Sequence, residues 1–306
     1  MIAQNVTELI GGTPIIKLNK LSQKFGASIY GKCEFMNPNG SVKDRIALSM
    51  VMDGLKTGKI NYDTLVIEAT SGNTGVGLAG VCASLGLRLV IVMPSSMSVE
   101  RRRVMAALGA KIELTAPEKG MKGALERAQE ISEGSKNSII LRQFENEANV
   151  RIHREATARE ILESFGEEKI DIFVAGVGTG GSITGIAPVL KKHYPDILIV
   201  AVEPASSPVL SGGAPSPHKI QGIGAGFVPS ILDTTAYSEI ITVENEEAFA
   251  MSRNIALKEG ILVGISSGAN VHAAKVLAKR YPNSNILTML NDTGERYLST
   301  ELFEQE

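Results

Sequence analysis

Short apolar runs rich in valine and isoleucine recur along this chain, separated by segments of helix length. They read "LVIEAT", "RLVIVMP", "KIELT", "SIILRQF", "DIFVAGVG", "ILIVAVEP", "EIITV" and "NILTML". A strand that is apolar throughout must be covered on both faces, and the intervening helices supply the cover. The pattern therefore predicts parallel sheets in an α/β protein. The runs outnumber the strands of one small sheet, and 306 residues leave room for two domains. The charged, glycine-containing stretch from Arg142 to Glu168 falls near the middle, and two α/β domains meeting there are expected.

Charge narrows the function classes. The formal net charge is -2 with 21% charged residues, so neither nucleic acid nor an anionic membrane is the expected partner. No segment reaches the roughly 20 uncharged apolar residues of a membrane helix, and "MIAQNVTELIGGTP" lacks a signal-peptide pattern. A cytoplasmic location is expected. Cys33 and Cys82 form no metal-spaced set, and Cys82, inside "VGLAGVCASLGL", reads as a buried small hydrophobe. His153, His193, His218 and His272 are scattered, which argues against a histidine-based metal site.

The stretch "NPNGSVKDR", Asn37 to Arg45, carries the first chemical signal. Pro38, Asn39 and Gly40 read as a turn, and Ser41 with Asp44 three residues on resembles an N-cap pair opening a helix through "IALSMVMDGLK". Lys43 then sits in the first helical turn, where the macrodipole disfavours a cation by roughly a few tenths of a kcal/mol. A reactive amine gains from that position. An amine forms an imine only when neutral, and positive potential with partial burial favours the neutral form.

Three loops look ready for anions. In "VAGVGTGGSITGIAPVLKKH" a strand runs into glycines and a helix begins near Ser182 or Ile183, so bare N–H groups can cradle a phosphate. Gly176, Gly178 and Gly181 also satisfy G-x-G-x-x-G, with Glu203 about twenty residues on, which is the dinucleotide fingerprint of a nicotinamide-dependent dehydrogenase. The second loop, "EATSGNTGVGLAG", gathers Thr70, Ser71, Gly72, Asn73 and Thr74 at another helix start, suited to a carboxylate. The third, "GISSGAN", leads into a helix after "EGILV", where a strand-to-helix turn is expected. Between Glu203 and Pro229 lies a long Gly/Pro/Ser-rich segment whose run "IQGIGAGF" reads as a site wall.

Taken together, these stretches resemble the fold-type II pyridoxal-phosphate enzymes, and within them the cysteine synthases, or O-acetylserine sulfhydrylases. The motifs "IGGTPIIKLNKL", "NPNGSVKDR", "TSGNTG", "VMPSSMSVERRRVMAALGAKIELT", "GMKGA", "GVGTGGS", "HKIQGIGAGFVP", "GISSGAN" and "GERYLST" stand in the family order and span nearly the whole chain. The resemblance implies two open, twisted, tryptophan synthase β-like α/β domains with the cofactor in the cleft between them. The smaller, mobile domain would be 36–145, and the larger 1–35 plus 146–306. It further implies that Lys43 is the Schiff-base lysine, that Asn73 bonds the cofactor's phenolic oxygen, and that Gly178, Thr179, Gly180, Gly181 and Ser182 hold its phosphate. Ser266 would meet the pyridine nitrogen, and Thr70, Ser71, Gly72, Thr74 and Gln143 would bind the substrate carboxylate.

The implied reaction is β-replacement on pyridoxal 5'-phosphate: O-acetyl-L-serine and sulfide give L-cysteine and acetate through an aminoacrylate, with Lys43 moving the Cα proton. Related outcomes on the same scaffold are cystathionine β-synthase-like condensation and sulfide release from cysteine. A homodimer and docking of a serine acetyltransferase C-terminal tail are implied partners; no metal is. Two departures stand out. Where the family shows Thr-Gly-Pro-Glu-Ile, "HREATAREI" has Ala158 and Arg159 after Thr157, and Ser182 replaces a common threonine.

Overall fold

The computed structural model describes residues 2–70, 72–96 and 99–304. Along the chain run β1 (Ile15–Lys17), α1 (Asn19–Phe25), β2 (Ser28–Cys33), α2 (Lys43–Lys56), β3 (Leu65–Ala69), α3 (Asn73–Leu85) and β4 (Arg88–Pro94). Then come α4 (Val99–Ala107), β5 (Lys111–Thr115), α5 (Gly120–Glu133), β6 (Ser138–Ile140), α6 (Glu147–Ile152) and α7 (Ala158–Phe165). The rest comprises β7 (Ile172–Gly176), α8 (Gly181–His193), β8 (Leu198–Pro204), β9 (Glu239–Val243), α9 (Asn245–Glu259), α10 (Ile265–Arg280) and β10 (Asn285–Leu290). Each of the eight apolar runs becomes a strand, β3 through β10.

Two compact units result. One contains the chain up to Ile10 and Asn37–Asn149; the other contains Gly11–Met36 and the chain from Val150 onward. The first is built on a four-stranded sheet in the order β5-β4-β3-β6. All its pairings are parallel, with Leu65 opposite both Arg88 and Ser138, and Val90 opposite Lys111. Residues alternate between faces: Ile67, Ala69, Val90 and Val92 pack under Ala124 and Ala128 of α5, while Val66 and Ile91 are buried as well. Both faces are covered, as an all-parallel sheet requires.

The second unit has six strands ordered β1-β2-β10-β7-β8-β9, of which only the β1–β2 pairing is antiparallel. Its core joins Ile29, Val174, Val200, Ile286 and Leu290 to Ala269, Ala273 and Leu277 of α10. Fully burying each of the valine, leucine and isoleucine side chains contributes about 2 kcal/mol. β2 is absent from the apolar runs because Gly31 and Lys32 interrupt it. Gly31 is needed for space, since a Cβ there would lie 2.6 Å from Leu290 Cδ1. Lys32, fully buried, donates to the Thr13 carbonyl and to Glu160 Oε2 at 2.6 Å.

One expectation needs correction. "EGILV" forms no strand before α10; Val263 makes a single bridge to Thr293. At the Ala158–Arg159 departure no new helix opens, because α6 passes through a π-helical segment, His153–Thr157, directly into α7. Alanine can continue a helix where the family's Gly-Pro would start one. Gly185 of α8 accommodates this segment: a Cβ there would sit 2.5 Å from the Val150 carbonyl oxygen and 2.7 Å from His153 Cβ.

Removing one partner of a buried ion pair strands the other charge. Glu160→Ala should therefore destabilise the protein by about 3–5 kcal/mol in denaturant unfolding. Lys32→Met in the Glu160→Ala background should recover a large part of that loss, and equal stability of the single and double variants would contradict the assignment.

Candidate active site

In the first unit, Lys43 is the first residue of α2 and is half-buried. The turn before it needs glycine, since Gly40 has φ 74° and its N–H donates to the Asn37 carbonyl at 2.7 Å. The expected N-cap pair forms differently. Ser41 Oγ accepts from the Lys43 N–H at 3.2 Å, while Asp44 reaches past Ser41 to accept from the Asn39 N–H at 2.6 Å. The aspartate thus ties down the turn, and Val42 occupies the cap position without a side-chain bond.

α3 fixes Lys43 from the other side. A Cβ on Gly77 would lie 3.0 Å from the Lys43 carbonyl oxygen and 3.2 Å from Asp44 Cα. At Gly80 it would come within 2.5 Å of the Asn39 amide. The glycines of "GNTGVGLAG" therefore let α3 approach the lysine-bearing backbone closely.

The carboxylate-type loop follows β3. Thr70 is buried, and its Oγ1 accepts from the Gly72 N–H at 3.3 Å. Asn73 opens α3, whose N-cap, Gly72, is extended and offers no side chain. Thr74 does not cap the helix either: its Oγ1 donates to Gln143 Oε1 at 2.7 Å, so the structure brings these two candidates together. Ser71 lies outside the described residues.

Glu68 was not singled out by its sequence, yet it lies in β3 two residues before Thr70. The one acidic residue in "LVIEAT" is buried, and its oxygens accept from the N–H groups of Arg142 at 2.9 Å and Gln143 at 3.2 Å. Burial pushes its carboxyl from the ordinary 4.5 up to about 7, against the lowering effect of those N–H groups. An acidic residue ending an apolar strand was the available signal.

In the second unit, β7 runs into the loop Val177–Gly180, and α8 begins at Gly181. Its N-cap, Gly180, is left-handed at φ 84° and contributes no side-chain bond. Thr179 Oγ1 accepts from the Gly181 N–H at 3.4 Å, and Ser182 stands half-buried in the first turn. Gly178 admits no side chain, since a Cβ would lie 2.4 Å from the Gly222 carbonyl oxygen. The Gly224 N–H donates to the Val177 carbonyl at 2.9 Å. The "IQGIGAGF" run thus walls the glycine loop.

Ser266 belongs to the same neighbourhood: a Cβ on Gly222 would be 3.4 Å from its Oγ. The serine is buried in the first turn of α10 and does not cap it. Its hydroxyl accepts from Asn291 Nδ2 at 3.1 Å, while Ser267 Oγ accepts from the Asn291 N–H at 2.8 Å. Asn291, just beyond β10, escaped sequence reasoning because nothing local marks it.

Glu203 decides between the two uses of G-x-G-x-x-G. Its carboxylate accepts from the N–H groups of Leu210 and Ser211, at 2.7 and 3.0 Å, and from Ser211 Oγ at 2.5 Å. It is an internal anchor of its own loop, and the dinucleotide reading loses its ribose ligand.

The family model for pyridoxal-phosphate dependent enzymes matches residues 6–292, and the chain belongs to that family. It is 53% identical to cysteine synthase B of Campylobacter jejuni over 302 residues, covering 99% of both chains. The crystal structure of cysteine synthase from Entamoeba histolytica superposes with a TM-score of 0.96 at 40% identity, covering 100% of this chain and 92% of that one. A hydrogen sulfide-producing enzyme from Fusobacterium nucleatum gives a TM-score of 0.93 at 45% identity, covering 97% and 100%. The glycine loop fits the family's phosphate. It opens a 13-residue helix without a capping side chain, excludes a Cβ at Gly178, and offers only hydroxyls at Thr179 and Ser182.

The raised Glu68 carboxyl links pH to stability. The folded chain takes up this proton near pH 7 and the unfolded chain near 4.5, so the fold binds more protons between those values. The Glu68 contribution is therefore fully present below about pH 4.5 and is lost as pH rises through about 7. Wild type measured against Glu68→Gln should lose on the order of 3 kcal/mol across that window in urea unfolding. A difference independent of pH would contradict the shift.

Proposed function

We propose that this pyridoxal-phosphate dependent enzyme is a cysteine synthase, converting O-acetyl-L-serine and sulfide into L-cysteine and acetate. The full-length similarity to cysteine synthases carries the reading, and the geometry of each unit agrees with it. At Cβ the C–O bond to acetate breaks and a C–S bond forms, while the Cα proton leaves and returns. When bound, pyridoxal phosphate supplies an aldehyde for amines and a ring that draws electron density from Cα.

Each residue then has a task. Lys43 would hold the cofactor through its amine and would be the base that takes the Cα proton and returns it. Asn73 would bond its phenolic oxygen, the loop Gly178–Ser182 would hold its phosphate, and Ser266 would meet its ring nitrogen. Thr70, Ser71, Gly72, Thr74 and Gln143 bind the substrate carboxylate. A neutral serine at the ring nitrogen leaves the ring a weaker electron sink than an acidic residue would. Prompt departure of a β-leaving group is thereby favoured over transamination or decarboxylation.

A homodimer, docking of a serine acetyltransferase tail, and a cytoplasmic location complete the proposal. Cys33 and Cys82, both buried and unbridged, suit a reducing compartment. The similarity to a hydrogen sulfide-producing enzyme supports one second reading, sulfide release from cysteine.

The purified protein should be coloured, and O-acetylserine without sulfide should shift its visible absorbance. Added sulfide should reverse the shift with release of cysteine. Sulfide formed from cysteine faster than cysteine is formed from O-acetylserine would favour the second reading. A protein that stays colourless with added pyridoxal phosphate would overturn both.

A further inference from the structure

Glu68 does more than fill the sheet. Its two carboxylate oxygens receive two successive backbone N–H groups, those of Arg142 and Gln143. Successive N–H groups converge on one anion only when the backbone between them bends unusually. The bend is visible: among the described residues only Arg142 and Asn283 have positive φ without being glycine, and Arg142 has φ 55°. The Arg142 side chain does not explain it, since it is half-exposed and reaches Glu145 at 3.4 Å and Gln129 at 3.5 Å. A residue with a Cβ adopts this left-handed conformation at a cost, and the buried carboxylate is the group positioned to offset it.

The turn also fixes the direction of Gln143. The Gln143 carbonyl accepts from Asn149 Nδ2 at 2.9 Å, and its Oε1 accepts from Thr74 Oγ1 at 2.7 Å. With Oε1 so engaged, the Nε2 donors are the end of the amide left to meet a carboxylate. Glu68 lies two residues before Thr70 on the same strand-to-loop segment, so one buried carboxylate ties both walls of this half-site to β3.

We propose that Glu68 is a positioning residue: it holds the Arg142–Gln143 peptide in its left-handed turn and so aims the Gln143 amide at the substrate's carboxylate. This rests on the reading of Gln143 as a substrate contact. Glutamine at position 68 keeps the shape but presents one N–H to another, which the turn cannot satisfy. Aspartate keeps the charge but is too short to serve both N–H groups.

The test is steady-state kinetics of the cofactor-loaded enzyme, on the alkaline side of the Glu68 titration, for Glu68→Gln, Glu68→Asp, Gln143→Ala and Glu68→Gln/Arg142→Gly. Glu68→Gln should raise KM for O-acetylserine on the order of tenfold, with kcat and the KM for sulfide little changed. Glycine at 142 takes the left-handed turn without an anion, so the double variant should recover most of that loss. A merely structural role predicts no such rescue. Should Glu68→Gln fail to fold, Glu68→Asp carries the test, with a smaller rise in the same KM. An unchanged KM, or a rise that glycine at 142 does not relieve, overturns the proposal. If Gln143→Ala raises that KM while the Glu68 variants do not, only the Glu68 link falls. If Gln143→Ala is also without effect, the reading of Gln143 falls with it.

Discussion

Parallel pairing is the constraint on which the rest depends. In a parallel sheet every strand delivers the chain to the same edge, and the helix after it starts there with unbonded N–H groups facing the loop. In the first unit that edge receives Thr70, Gly72, Asn73 and Thr74 after β3 and Gln143 after β6. In the second it receives Gly176–Ser182 after β7, the Glu203 loop after β8 and Asn291 after β10. These residues come from segments far apart in sequence, and strand direction collects them within each unit, whereas Lys43 and Ser266 open helices that follow no strand directly.

Close approach then refines what strand direction collects. Gly77 lets α3 seat against the Lys43 backbone, and Gly178 lets the phosphate-type loop seat against Gly222. At each place a Cβ would meet a backbone carbonyl oxygen, an atom that cannot swing aside as a flexible side chain can. These glycines are therefore steric requirements of the site, separate from the conformational freedom that Gly40 and Gly180 use at positive φ.

Much of this was legible from residue order because burial on both faces demands apolar strands, and β3 through β10 show them. β2 was not, since its burial of Lys32 is compensated by Glu160, a partner 128 residues away. The same holds at the site. The helix start at Lys43 and the glycine loop at 178–182 are local patterns, whereas the Ser41–Asp44 pair divides its bonds in a way that only the folded turn decides. G-x-G-x-x-G could not choose between a dinucleotide and a monophosphate; the hydrogen bonds that tie Glu203 to Leu210 and Ser211 within its own loop make that choice. Asn291 acts through hydrogen bonds to a distant segment that no local pattern marks, and at Glu68 the acid in an apolar strand is local but its partners Arg142 and Gln143 are not.

The central claim is that the amine at the start of α2 carries the cofactor. Borohydride reduction of the cofactor-loaded enzyme followed by peptide mapping tests it most directly. The account predicts a reduced pyridoxyl label on Lys43 alone, lost in Lys43→Ala with the fold intact. A label on any other lysine, or retained labelling in that variant, would contradict it.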